Sequence, residues 1–171
     1  MTDDRRAIIV MGVTGCGKST LGTRLAQEMS CTFLEGDSLH SSDSIVKMRH
    51  GTALTDADRW PWLETIARSI SDRLVTGNCV VAACSSLKRT YRDLLRSRIG
   101  KPLRFVYLDA TPAVIKARIG ERSDHFMPAS LVESQFATLE TPRDEPDVLT
   151  LSCDDDPDRL VETVAGWMDC A

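Results

Sequence analysis

No run in the 171 residues comes near the length of a membrane-spanning helix, and the opening Met1-Thr2-Asp3-Asp4-Arg5-Arg6 carries no signal-peptide core. The expectation is a soluble, cytosolic chain. Positive charge is not in excess either: 21 Lys and Arg stand against 25 Asp and Glu, a formal charge of -4. That balance argues against nucleic acid or an anionic membrane as the main partner. The six cysteines, at 16, 31, 79, 84, 153 and 170, form no C-x-x-C pair and have no His at zinc spacing. With disulfides rare in the cytosol, most of these thiols are expected to be free and buried as small hydrophobes. The chain also lacks internal repeats, low-complexity tracts and linkers, which leaves one domain over residues 1–171.

What is present suits such a domain. Hydrophobic residues make up 42% and charged residues 27%, ordinary globular proportions. Apolar, β-rich runs occur at Ala7–Met11, Thr32–Leu34, Val80–Ala83, Arg104–Leu108 and, more weakly, Val148–Leu151. Between them lie helical patterns. Trp62, Ile66, Ile70 and Leu74 recur every four positions with Leu63 and Ala67 beside them, one buried stripe. Thr55-Asp56-Ala57-Asp58 reads as its cap, with Pro61 in the first turn. Alternating strands and helices predict an α/β fold, a five-stranded parallel sheet with helices on both faces.

Directly after the first run comes Gly12-Val13-Thr14-Gly15-Cys16-Gly17-Lys18-Ser19, followed by Thr20 and a helical stretch. This satisfies G-x-x-x-x-G-K-[S/T], the P-loop. Glycines turn successive N–H groups inward and let the loop close on phosphate oxygens, and the new helix adds its positive dipole end. Lys18 supplies a charge to the β- and γ-phosphates, and the Ser19 hydroxyl is suited to Mg²⁺. A nucleoside triphosphate with magnesium is therefore expected. Cys16 lies inside this cradle, where a lowered thiol pKa and redox control would be available; a small residue filling a loop position is the plainer reading.

The N-K-x-D guanine signature is missing, and the run ending Cys84-Ser85 has no acidic pair, so a GTPase and a motor ATPase are disfavoured. Asp109 does end a run, but Ala110-Thr111-Pro112 behind it suggests a turn or helix cap. The second run leads into Gly36-Asp37. At a strand's carboxyl end Asp37 would share the P-loop crevice, where a carboxylate can accept a hydroxyl proton or hold a Mg²⁺ water; capping the next helix is the alternative.

Longer blocks carry a resemblance. Gly36-Asp37-x-Leu39-His40, the stretch Lys47-Met48-x-x-Gly51-x-x-Leu54-x-Asp56-x-Asp58-Arg59-x-Pro61-Trp62-Leu63 and Cys84-Ser85-x-Leu87-Lys88-x-x-Tyr91-Arg92-Asp93-x-Leu95-Arg96 form an ordered series. His125-Phe126-Met127 and Ser134-Gln135-Phe136-x-Thr138-Leu139-Glu140-x-Pro142 continue it. From the P-loop to about residue 158 the chain resembles the gluconate kinases of the small P-loop type. His40-Ser41 stands where that family commonly has His-Pro, and Ser44 where it usually has Asn. The resemblance implies ATP-dependent phosphorylation of D-gluconate on a nucleoside-monophosphate-kinase-like fold, usually as a dimer. It implies a substrate-capping segment near 38–60 and a mobile lid near 118–135.

Gluconate is a hydroxylated monoanion, so its site needs cations for the carboxylate and paired groups for the hydroxyls. Arg59 offers a fork for the carboxylate. Lys88 and Arg92, four apart, would meet substrate or phosphate, although the run from Lys88 to Arg104, with seven basic residues against Asp93, is mostly solvated surface. His40 would bond a substrate hydroxyl or serve structurally. In the lid, Arg118 would stack on adenine or touch phosphates and Arg122 would approach the transferred group; a plain surface helix is the alternative for the pair. His125 and Gln135 are weaker substrate candidates. The loop at Asp154-Asp155-Asp156-Pro157 would lie over the adenine edge, touching it through backbone at Pro157. Trp60, Trp62 and Trp167 read as packing. Two other functions stay open: a shikimate or nucleoside monophosphate kinase of the same fold, and a nucleotide-binding module without phosphotransfer.

Overall fold

The computed structural model describes residues 5–121 and 128–170. Strands β1 (Arg6–Met11), β2 (Thr32–Glu35), β3 (Cys79–Ala83), β4 (Leu103–Asp109) and β5 (Val148–Ser152) pair in parallel in the order β2-β3-β1-β4-β5. The helices are α1 (Lys18–Glu28), α2 (Ser42–Arg49), α3 (Asp56–Thr76), α4 (Arg89–Ile99), α5 (Pro112–Gly120), α6 (Ala129–Thr138) and α7 (Pro157–Asp169). Each expected β-rich run lies within a strand of this five-stranded sheet.

The central strand shows why near-continuous apolar runs were needed. Ala7, Ile9 and Met11 face a core built with α3 and α4, while Ile8 and Val10 face a second core built with α1, α5 and α7. Side chains alternate across a strand, so a sheet covered on both sides must be apolar at every position. The predicted stripe of α3, from Trp62 to Leu74, is buried in the first core. Thr55 caps this helix through a reciprocal pair: its hydroxyl accepts from the Asp58 N–H, and the Asp58 carboxylate accepts from the Thr55 N–H at 2.9 Å. Pro61 lies past the first turn, inside the helix, where its ring removes the N–H that the Ala57 carbonyl would have accepted. At α5 the cap is Thr111, which accepts from the Val114 N–H at 3.3 Å, and Asp109 instead accepts from the Tyr107 hydroxyl at 3.0 Å.

One cysteine expectation is overturned. Cys31 and Cys79 form a disulfide. Thr32 is in register with Val80, so Cys31, just before β2, and Cys79, the first residue of β3, face each other with Cα atoms 4.8 Å apart. The bridge ties the amino ends of these strands, away from the P-loop. Cys16, Cys84 and Cys153 are free and buried, as expected, and Cys170 is free and exposed.

Candidate active site

The P-loop joins β1 to α1. Gly12 has φ +141°, and a Cβ there would stand 2.8 Å from Cys16 Sγ and 2.9 Å from the Leu108 carbonyl oxygen, so only glycine closes the loop without displacing backbone. Gly17 precedes α1 and no side chain caps that helix, which leaves its first N–H groups for an anion. Lys18 Nζ donates to the Val13 carbonyl at 2.9 Å, curling over the loop. The Ser19 hydroxyl donates to the Glu35 carboxylate at the end of β2. The Thr14 N–H donates to Gln135 Oε1 at 2.7 Å, so α6 touches the P-loop directly.

Beside the P-loop the chain leaves β2 at Gly36, whose Cβ would collide with the Ala83 carbonyl of β3. That close approach brings Asp37 to the carboxyl end of the sheet, where its side chain is 72% exposed. His40 stacks on Trp62 with ring centroids 4.2 Å apart, and the Trp62 indole N–H donates to the Gly36 carbonyl at 2.8 Å. His40 Nε2 lies 3.8 Å from Asp37, whereas its Nδ1 is buried with no partner among the described residues. Burial, helped by Arg59 and opposed by Asp37, lowers the His40 pKa from its ordinary value, so the ring is neutral at pH 7.

These groups meet in one cavity of about 390 Å³, lined by Thr14 and Lys18 of the P-loop, Asp37 and His40 after β2, Arg49 of α2, Arg59 and Trp62 of α3, and Gln135 of α6. Among the described residues, three cations, Lys18, Arg49 and Arg59, face one carboxylate, Asp37. Such a cavity selects an anion, and the neutral imidazole and amide suit hydroxyl groups.

Several predicted residues stand elsewhere. Arg92 does not reach the cavity: it is 1% exposed, and its guanidinium donates to Glu145 and to the carbonyls of Ser86, Leu87 and Glu140. Every N–H of the fork points into protein, so Arg92 clamps α4 to the loop before β5 rather than meeting substrate. Burial raises the Glu145 pKa, but the bonds from Arg92 and Arg96 outweigh it and hold the carboxyl below its ordinary value. Lys88 also stays outside the cavity lining, its Nζ on the Asp56 carboxylate at 3.0 Å. Arg118 bonds the Cys16 carbonyl at 3.2 Å, the Cys153 carbonyl at 2.7 Å and Asp154 at 3.1 Å. It thereby joins the P-loop to the loop that leads to Pro157, the first residue of α7. Arg122 and His125 lie outside the described residues. Cys16 is 1% exposed, its thiol packed against Gly12.

Sequence reasoning missed Glu35, Arg49 and Trp62. Glu35 was legible as the carboxylate directly before Gly36-Asp37. Arg49 sits four residues after Ile45, another residue of the cavity wall, and so shares its helical face. Trp62 belongs to the buried stripe, and no periodicity reveals that one edge of it supports His40.

A parallel sheet in this order, with a P-loop after its central strand and a carboxylate at the neighbouring crevice, defines a P-loop kinase fold. Residues 8–146 match the family model of an AAA domain. The chain is 43% identical over 157 residues to a gluconokinase of Gluconobacter oxydans (strain 621H), covering 92% of this chain and 88% of that one. It is 41% identical over 171 aligned residues to a gluconokinase of Arabidopsis thaliana, with 93% and 90% covered. The crystal structure of a gluconokinase from Sinorhizobium meliloti 1021 superposes with a TM-score of 0.86 at 42% identity, over 96% of this chain and 93% of that one. The chain belongs to the gluconokinase family.

Proposed function

We propose that the chain transfers the γ-phosphoryl group of ATP to the 6-hydroxyl of D-gluconate, giving 6-phospho-D-gluconate and ADP. The observation that carries this reading is the single cavity joining Lys18 and Thr14 of the phosphate cradle to Asp37, His40 and Arg59. A shikimate or nucleotide acceptor, or a module without chemistry, is not favoured by the family to which the chain belongs.

The P-loop N–H groups and Lys18 hold the phosphates of ATP. Arg59 binds the gluconate carboxylate, and His40 and Gln135 bond its hydroxyls, the free Nδ1 of His40 being a buried atom that needs such a partner. Asp37 accepts the proton of the 6-hydroxyl as that oxygen attacks phosphorus. Ser19 and Glu35 are hard oxygen donors in contact, a set that fits Mg²⁺ beside phosphates. Held by these two residues, such an ion would supply charge neutralisation on the transferred group. Residues 118–135 act as a lid that excludes water, which would otherwise take the phosphoryl group, with Arg122 and Arg118 closing over the nucleotide. Residues 38–60 cap the substrate.

The whole chain forms one domain, working as a homodimer in the cytoplasm. The resemblance supports the dimer, the one continuous sheet supports the single domain, and a place in the cytoplasm requires the Cys31–Cys79 bridge to persist where disulfides are rare. Gel filtration and cell fractionation test them. For the reaction, ADP release is followed with Mg·ATP and gluconate, shikimate, glycerate, AMP or no acceptor. Turnover confined to gluconate is the expected result; turnover that ignores gluconate refutes the reading.

A further inference from the structure

Arg59 is buried, 8% exposed, yet it forms part of the cavity wall. Among the described residues its side chain makes one hydrogen bond, from Nη1 to the hydroxyl oxygen of Tyr91 at 3.3 Å. The other N–H groups of its guanidinium have no hydrogen-bond partner among the described residues. The Tyr91 hydroxyl in turn donates to Asp56, and both Asp56 oxygens accept from Lys88 Nζ at 3.0 Å.

The direction of this chain of bonds is set by chemistry. A carboxylate only accepts, so Tyr91 must donate to Asp56 and offer its lone pair to Arg59. Hydrogen bonds from Tyr91 and Lys88 lower the Asp56 pKa, and burial together with the bond to Asp56 raises that of Tyr91. At neutral pH the carboxylate stays charged and the phenol stays protonated. The Tyr91 ring is fixed as well: it is 1% exposed and meets Trp60 edge-on at 5.2 Å. Arg59 is thus held by a rigid phenol anchored to α3 by Asp56, with Lys88 neutralising the acid.

We propose that Tyr91 is the positioning residue that aims Arg59 at the carboxylate of the acceptor, with Asp56 and Lys88 holding Tyr91 and not touching substrate themselves. The inference rests on the reading of Arg59 as the carboxylate ligand. A long side chain held at one nitrogen loses little freedom on binding, whereas a free one pays to be ordered. A substrate acid is thereby bound better than a neutral sugar of the same shape.

The test is steady-state kinetics of wild type, Arg59→Ala, Tyr91→Phe and the double variant, with gluconate and ATP varied separately. Arg59→Ala should raise the KM for gluconate by about ten- to a hundredfold, the range for hydrogen bonds to charged groups. Tyr91→Phe keeps the ring and should raise that KM by about three- to tenfold, the cost of immobilising one long side chain on binding. In Tyr91→Phe the change should fall on this KM more than on turnover or on the KM for ATP, and a structural role alone would not produce that split. In the Arg59→Ala background, Tyr91→Phe should have no further effect. Asp56→Asn, at a more exposed carboxylate, should repeat the selective rise in KM, and it decides the matter if Tyr91→Phe fails to fold. A full Tyr91 effect persisting without Arg59, or an unchanged KM in Tyr91→Phe and Asp56→Asn while Arg59→Ala is impaired, overturns the positioning role. An unchanged KM in Arg59→Ala overturns the carboxylate reading itself.

Discussion

Replacing Arg92 with Met separates two roles that the same arginine was able to hold. In the structure its Nε reaches both oxygens of Glu145 at 3.1 and 3.0 Å, and its Nη1 reaches the carbonyls of Ser86 and Leu87 at 2.8 and 3.2 Å. Nη2 adds the carbonyl of Glu140 at 3.1 Å. Both charges are buried, the side chains of Arg92 and Glu145 being 1% and 6% exposed. Met fills similar space but leaves Glu145 with Arg96 alone and strands the carbonyls of Ser86 and Glu140, whereas that of Leu87 keeps the Glu140 N–H at 2.8 Å. Removing one member of a buried pair costs about 3–5 kcal/mol. For a domain of this size each kcal/mol shifts the melting temperature by about 2–4 °C, so the midpoint should fall by roughly 6–20 °C. Against a total of about 5–15 kcal/mol, the variant should still fold at low temperature. Urea unfolding followed by circular dichroism gives the stability, and coupled ADP release at 10 °C gives the kinetics. The KM for gluconate should stay within about twofold of wild type, as expected for uniform loss of stability without lost contacts. Adding Glu145→Gln should restore part of the loss, because the stranded charge is then gone. Wild-type stability with a tenfold rise in the KM for gluconate would refute the clamp and return Arg92 to the substrate.

Three further outcomes follow from the geometry. Asp37→Asn should leave ATP binding intact and lower turnover by roughly two to four decades, the range for general acid–base catalysis; near-native turnover removes Asp37 from the base role. Gly12→Ala forces a Cβ to within 2.9 Å of the Leu108 carbonyl oxygen at φ +141°, so ATP affinity measured by calorimetry should fall at least about tenfold as the cradle distorts; wild-type affinity would show that the loop tolerates the shift. His40 has a folded pKa below its ordinary 6.5, so the unfolded chain takes up this proton first as pH falls. The stabilising contribution is complete above that value and is lost as pH drops through the folded pKa. Melting temperatures from pH 7.5 to 5 should therefore fall less steeply in His40→Gln than in wild type, and parallel curves would contradict the burial argument.

Much of the molecule is local and was legible as such. Near-continuous apolar runs announced strands covered on both faces, the i, i+4 recurrence from Trp62 to Leu74 announced α3, and the Thr55–Asp58 box announced where it begins. The P-loop needs only consecutive residues, because the backbone of one turn makes the cradle. Assembly across distant segments was not legible. Cys31 and Cys79 are 48 residues apart in sequence, and only the pairing of β2 with β3 places them face to face. Arg92 and Lys88 share a helical spacing that suggested one role for both, yet the first is enclosed by Glu145 from beyond β4 and the second by Asp56 from α3. Sequence by itself determined the elements, the phosphate cradle and the family to which the chain belongs, since each rests on short-range pattern. The tertiary structure alone decided which charged groups face the cavity and which spend their charge on one another, because a charge takes its role from the partners that folding brings within a few ångströms.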